Sequence, residues 1–423
     1  MNKRFWIKVS GVALLLVAGA AGLVAWLNVR GEAPIALQAA PIESTPQLVQ
    51  RGAYLARAGN CAACHTERGG APFAGGKGIA TPFGTVFTSN LTPDPTHGIG
   101  NWSAAEFWRA MHHGRSKDGR LLYPAFPYPD YTLVTREDSD ALYAYLRSVP
   151  AVQQPNRPHA LRFPYNMQAS LAVWRALYFS PERFEPEKTK SAEWNRGAYL
   201  VRGLGHCQAC HAPRNAFGAT QTDLELSGGL IPMQNWYAPS LGSPAEAGVQ
   251  GWSTQDVAQL LKSGASARGV AMGPMSEVVF GSTQHLNDED VRAMATFLRE
   301  LPRHDPPVLK AQWASLDVHQ LGERIYKNQC AACHGDNGEG GGDAYPALKD
   351  HRMATMNSSA NLIRMIISGG FAPTTAGNPR PFGMPPFGQL LSDAEIAAVA
   401  TYVRSAWGND SRSVQELDVQ RLR

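Results

Sequence analysis

The sequence predicts an all-α protein in which three similar helical domains follow one another behind an N-terminal apolar helix. Three observations point there: an apolar run near the start of the chain, a cysteine and histidine pattern repeated three times inside matching helical segments, and no long alternating strand pattern. At 423 residues the chain is too long for one small core and suits several domains of roughly 100 to 200 residues. Its 44% hydrophobic and 17% charged residues place it among globular chains and away from disordered ones. The formal charge of +4 comes without a basic cluster or interleaved aromatics, so no nucleic acid is expected as a partner.

Residues 1–30 read as a signal or anchor helix. Lys3, Arg4 and Lys8 precede an apolar run from about Gly11 to Leu27, and Phe5, Trp6 and Ile7 extend it toward the roughly 20 residues that span hydrocarbon. The expectation is an uncleaved anchor in the inner membrane with its positive end in the cytoplasm. The alternative is a cleaved export signal, with Ala36 to Ala40 supplying the small residues. Either way the rest of the chain faces the periplasm.

All six cysteines fall into three copies of one pattern: Cys61 and Cys64 before His65, Cys207 and Cys210 before His211, Cys330 and Cys333 before His334. C-x-x-C-H is the attachment pattern of c-type haem. Two thiols about one helical turn apart reach the two vinyl groups of one porphyrin, and the adjacent histidine then lies under the iron as proximal ligand. Redox C-x-x-C motifs and zinc ribbons need no following histidine, and no cysteine is left over for a disulfide. Three haem c groups are therefore expected, and their propionates would turn the small positive charge negative.

The repeats around these motifs set the domains. QRGAYLARAGNCAACH, NRGAYLVRGLGHCQACH and QLGERIYKNQCAACH each lead a helix into a motif. WSAAEFWRAMHHG, WSTQDVAQLLKSG and SANLIRMIISGG each read as a short middle helix closed by glycine. REDSDALYAYLRSVP, DEDVRAMATFLRELP and SDAEIAAVATYVRS each read as a last amphipathic helix with acidic residues in its first turn. The expected domains are 45–152, 190–304 and 316–408, joined by Pro-rich connectors at Pro150 to Pro164 and Pro302 to Pro307.

A second axial ligand should come from the loop before each last helix, and a methionine there suits electron transfer. Met275 follows Pro274 in the second copy, with Met272 as its alternative, and Met384 precedes Pro385 and Pro386 in the third. In the first copy the aligned position holds Phe126, which cannot bind iron. Met111, His112, His113 and Met167 are the candidates to replace it, and an open iron is the further alternative. No acid–base pair, nucleophile triad, phosphate loop or nicotinamide fingerprint stands out, so no catalytic residue is expected.

The motifs RGAYLARAGNCAACHT, FGTVFTSNLTPD, LYPAFPY, NRGAYLVRGLGHCQACHAPRN and MPPFGQLLSDAEIAAVATYVR, among others from about Gln50 to Asn409, carry a resemblance. The chain resembles the triple-haem cytochrome c subunit of membrane-bound bacterial dehydrogenases, the group that includes the alcohol and gluconate dehydrogenase subunits. The resemblance implies three tandem class I cytochrome c domains. It also implies haem attachment at the six cysteines, proximal ligation by His65, His211 and His334, and distal ligation by Met275 and Met384; it fails at Phe126. It further implies a relay, in which a separate catalytic dehydrogenase subunit passes electrons through the haems to ubiquinone or a terminal oxidase. A free-standing electron shuttle, and a haem peroxidase or sensor with an open first haem, are the other readings.

Overall fold

An apolar stretch with no polar face has no reason to leave a hydrocarbon environment, and helix α1 (Lys3–Val29) is such a stretch. Its residues Val9–Val29 form a 21-residue run, long and apolar enough to cross a membrane and not buried inside the protein. The computed structural model describes residues 3–35, 42–304, 313–341 and 345–423. The side chains of Lys3, Arg4, Phe5 and Lys8, the stretch Ala36 to Ala40, and the end of the connector Pro302 to Pro307 lie outside the described residues. Two compact units emerge, one of residues 1–56 and 61–185, the other of 57–60 and 186–423.

In the first unit, α2 (Pro46–Ala58) leads into the short α3 (Cys61–His65). A hairpin of β1 (Gly78–Thr81) and β2 (Gly84–Phe87) follows, pairing Gly78 with Phe87. Helices α4 (Ala104–His113), α5 (Tyr128–Tyr131) and α6 (Arg136–Ser148) come next, then β3 (Ala160–Leu161), antiparallel to β2, and α7 (Gln168–Tyr178). The second unit repeats the plan twice. Its first pass runs through α8 (Ala192–Tyr199) and α9 (Gln208–His211), a hairpin of β4 (Gly229–Ile231) and β5 (Trp236–Ala238), α10 (Thr254–Ser263), a hairpin of β6 (Ala265–Ser266) and β7 (Gly269–Val270), α11 (Pro274–Gly281) and α12 (Asp288–Arg299). The second pass runs through α13 (Leu316–Gln329), α14 (Ala331–His334), α15 (Arg352–Thr355), α16 (Ala360–Ser368), a hairpin of β8 (Gly370–Phe371) and β9 (Gly383–Met384), α17 (Asp393–Ser405) and α18 (Glu416–Gln420). Helices thus dominate, and short two- to four-residue strands accompany them. The second and third helical repeats share one compact unit, where the sequence suggested separate domains.

The glycine-closed middle helices form as their sequences dictate. Ser103 and Glu106 make a capping box at the start of α4, Ser253 caps α10, and Gly114, Gly264 and Gly369 end α4, α10 and α16 at φ of 57°, 78° and 59°. The last helices share a start as well, with Thr135, Asn287 and Ser392 each accepting a hydrogen bond from a backbone amide one turn into the helix.

In each repeat the leading and last helices cross at a glycine. A Cβ on Gly52 would strike the Ala141 carbonyl and stand 2.7 Å from the Tyr145 Cβ; on Gly197 it would strike the Ala293 carbonyl, 2.9 Å from the Phe297 Cβ; on Gly322 the Ala398 carbonyl, 2.8 Å from the Tyr402 Cβ. Beside the crossings, Arg51 donates to Asp138 at 2.8 Å and Arg196 grips Asp290 at 2.7 and 2.8 Å. The third repeat has no such arginine; Glu395, at the matching place, turns back to cap its own helix through Ser392.

The first unit buries charge as well as carbon. Arg175, 2% exposed, donates to the Asn28 side chain at 2.9 Å and to the carbonyls of His113 and Gly114, and stacks over Tyr128 and Phe179. Beside it, His112 stacks on Trp108 at 4.4 Å and meets the His113 ring edge-on. Burial pushes both imidazoles down to about 4, helped by each other's charge at His112 and by Arg175, Arg115, Arg109 and Arg183 at His113.

Two outcomes are expected. Gly52→Ala, Gly197→Ala and Gly322→Ala should each destabilise their repeat by about 1–3 kcal/mol or more, read as lowered midpoints in chemical denaturation. The neutral imidazole pair predicts that stability of the first unit falls as pH drops from 6.5 toward 4, because the unfolded chain takes up protons that the folded one refuses. Each imidazole should contribute roughly 1.4 kcal/mol per pH unit in that window, and denaturation series at stepped pH should show a shallower slope for His112→Asn with His113→Asn.

Candidate haem sites

Each C-x-x-C-H sits on a helical turn at the end of a leading helix, so the two thiols and the imidazole project from one short stretch of backbone. Burial raises the Cys61 thiol to about 12, with the neighbouring Cys64 adding to it, and raises Cys330 to about 11, with Cys333 adding to it. Redox-active C-x-x-C pairs do the opposite, holding one thiol as a thiolate near neutral pH. No disulfide joins any pair. The raised thiols of the first and third sites thus differ from those of a redox-active pair.

The three histidines are oriented alike. His65 Nδ1 lies 2.7 Å from the Ser89 carbonyl, His211 Nδ1 2.8 Å from the Pro239 carbonyl, and His334 Nδ1 2.9 Å from the Pro346 carbonyl. A carbonyl can only accept, so Nδ1 carries the proton and Nε2 keeps a free lone pair for a metal. Burial pushes His65 and His211 below the usual imidazole range, against the pull of the same carbonyls, which keeps the lone pair unprotonated. By surface His65 is half-buried.

The loop that supplies these carbonyls was not singled out from the sequence. In all three sites the histidine carbonyl accepts from a glycine amide: Gly75 at 2.8 Å, Gly228 at 2.7 Å and Gly340 at 2.8 Å. All three glycines have φ near 80°, and a Cβ on each would press on the backbone segment around the acceptor carbonyl. Two residues before them, Phe73, Leu226 and Gly338 also take positive φ and accept from Leu91, Leu241 and Leu348. The signal in the sequence was a leucine two places after each acceptor, Ser89, Pro239 and Pro346.

The methionine positions are placed as follows. Met275 is the second residue of α11, after Gly273 and Pro274. Met384 lies in β9 opposite Gly370 and packs against the buried cluster of the third repeat. The methyl of Met272, the alternative to Met275, lies near Gly370. The Phe126 ring lies tilted against Tyr131 at 5.4 Å between centroids, and the buried Tyr131 lies near Cys61 and Cys64. Met111, His112 and His113 are buried on α4, whereas Met167 stands at the start of α7, 44% exposed.

Within the second unit the last two sites are tied together. Tyr237, next to the strand end that leads to Pro239, donates its amide to Asn361 Oδ1 at 2.9 Å and accepts from Asn361 Nδ2 at 2.8 Å. The Ser276 hydroxyl, one residue past Met275, donates to the Phe371 carbonyl at 3.2 Å. The first turn of α11, which bears Met275, thus touches β8, whose partner strand bears Met384.

Among the described residues no cluster of three His, Cys, Asp or Glu could hold a metal ion. One imidazole with two nearby thiols per site fits an iron that brings its equatorial nitrogens in a porphyrin. These features define a c-type cytochrome, and the family whose profile matches the chain is cytochrome c, over residues 49–150 and 319–407. The gluconate 2-dehydrogenase cytochrome c subunit of Pantoea cypripedii is 39% identical over 401 residues, covering 90% of this chain and 90% of that protein. The cytochrome c subunit of the quinone alcohol dehydrogenase of Gluconacetobacter polyoxogenes is 38% identical over 394 residues, covering 89% and 84%. The fructose dehydrogenase cytochrome subunit of Gluconobacter japonicus is 35% identical over 455 aligned positions, covering 99% and 90%. The chain belongs to this family of dehydrogenase cytochrome c subunits.

Asn361→Ala should remove the two hydrogen bonds that clamp β5 to α16. The expected loss is about 1–3 kcal/mol, seen by calorimetry as a lower or divided transition of the second unit.

Proposed function

We propose that the chain binds three covalent haem c groups and relays electrons from a catalytic dehydrogenase subunit to ubiquinone or a terminal oxidase, at the periplasmic side of the inner membrane. Cys61 and Cys64, Cys207 and Cys210, and Cys330 and Cys333 hold the haems, each in one of three tandem class I cytochrome c domains at 45–152, 190–304 and 316–408. His65, His211 and His334 are the proximal ligands, and Met275 and Met384 the distal ligands of the second and third haems. At the first haem Phe126 stands where the others have methionine.

The observation that carries this reading is one site built three times, each imidazole oriented by a backbone carbonyl through Nδ1 with Nε2 left for iron. Haem iron supplies one-electron chemistry by cycling between its ferrous and ferric states. The chain's own residues orient each imidazole through Nδ1, and burial keeps His65 and His211 neutral. The first turn of α11, bearing Met275, touches the β8–β9 hairpin bearing Met384 through Ser276, which suits transfer between the second and third sites. A catalytic partner is supported by the names of the relatives, all cytochrome subunits of dehydrogenases, and a quinone acceptor by the name of the alcohol relative.

The test uses the full chain from a host that attaches haem c. Haem content should be three per chain and two when any one cysteine pair is changed to serine. In the reduced protein, Met275→Ala and Met384→Ala should each make one further haem bind carbon monoxide. Unchanged carbon monoxide binding in either variant would remove that methionine from its ligand role, and a count below three would remove the relay as drawn.

A further inference from the structure

Outside α1, every large hydrophobic side chain left exposed among the described residues of the first unit lies in one short segment: Phe163, Tyr165, Met167, Val173, Leu177 and Tyr178. A contiguous exposed apolar patch of this kind marks a surface meant to be covered. The helix within it, α7, is built inside out. Leu171 and the guanidinium-bearing Arg175, one turn apart, face the interior, while Val173 and Leu177, also one turn apart, face outward. An ordinary surface helix puts its charge outside and its carbon inside. Here the positive charge is held indoors by the Asn28 side chain, the His113 and Gly114 carbonyls and two aromatic rings, so the outward face is free to be apolar.

What covers that face follows from what α7 is fastened to. Asn28, in the last turn of α1, donates to the Ala172 carbonyl of α7 at 2.9 Å and accepts from Arg175. Its carbonyl takes a hydrogen bond from Arg115, and Arg115 also pairs with Glu32 at 2.9 Å. The outer end of the 21-residue apolar run is therefore locked to α7, which sets α7 at the level where hydrocarbon gives way to headgroups. That level favours aromatic rings with one polar edge, and Trp174 and Tyr178 stand together there at 5.6 Å between centroids.

We propose that the segment from Phe163 to Tyr178 is a membrane-interfacial element: α7 lies on the outer leaflet beside α1, with Val173 and Leu177 dipped into the phospholipid bilayer. The inference rests on α1 being a membrane span. The anchor then contacts the bilayer at two places, an axis and a surface rest, and the first unit cannot swivel freely about α1.

The test places a nitroxide label at Val173→Cys, at Leu177→Cys and, as a water-exposed reference, at Asp118→Cys, in the full haem-loaded chain. The chain is reconstituted in nanodiscs of phosphatidylethanolamine and phosphatidylglycerol, and collisions of each label with oxygen and with a water-soluble nickel chelate are measured. The labels at 173 and 177 should collide several-fold more with oxygen and several-fold less with nickel than the label at 118. Nickel collisions equal to those at 118 would show a wet face and overturn the proposal. Low collisions with both reagents would show a protein surface covering α7, a second copy or another subunit, and would also overturn it. A chain that does not co-elute with the discs would overturn the span and this inference together, whereas co-elution with wet labels overturns this inference alone.

Discussion

Where α2 crosses α6, α8 crosses α12 and α13 crosses α17, no side chain separates the two backbones, because Gly52, Gly197 and Gly322 leave a carbonyl of the opposite helix in direct reach. The crossing fixes the direction in which each leading helix ends; Cys61 and Cys330 follow that end closely, and Cys207 follows a π-helical turn, Leu200–Leu204, that continues α8. Thiols and imidazole are thereby aimed by a helix pair whose spacing cannot vary without breaking contact. The ion pairs Arg51 with Asp138 and Arg196 with Asp290 reinforce two of the crossings from their rims, while the third is held by packing around Tyr326 and Tyr402. The shared glycine, and not the shared salt bridge, is what the three repeats require.

A second constraint acts on the imidazoles. A histidine on a flexible surface turn would sample both tautomers and several ring orientations, and none would be ready for iron. Here the histidine carbonyl and ring are held by the same returning loop: its glycine amide takes the carbonyl, and its later strand takes Nδ1. Left-handed backbone at Phe73 and Leu226, each an uncommon conformation for a side-chain-bearing residue, lets that loop double back in so little space. In the third repeat Gly338 occupies the same conformation without that strain.

The two units solve different problems. The second ties its two repeats together through the Asn361 clamp and the Ser276 contact. The first turns to the other end of the chain. Its buried arginine, its neutral histidine pair and the Asn28 and Glu32 contacts bind the folded part to the exit of α1, so the apolar run is not a loose tether.

Much of this was legible in the residues. Six cysteines in three C-x-x-C-H motifs define the attachment chemistry wherever the chain folds, because spacing of two thiols and a histidine along one turn is a local property. The apolar run, the glycine-closed middle helices and the acidic starts of the last helices are local too, and the structure places them as their periodicity indicates. What the sequence could not settle depends on contacts between residues far apart in the chain. The acceptors Ser89, Pro239 and Pro346 act through backbone carbonyls, which every residue type possesses, so their own residue types do not mark them and only the leucine two places on does. Met272 and Met275 are alike as side chains, so residue type alone does not choose between them. The outward apolar face of α7 looks in sequence like an ordinary buried stripe; its inversion follows from Arg175 finding Asn28 and the α4 carbonyls inside, which is a fact of tertiary structure alone.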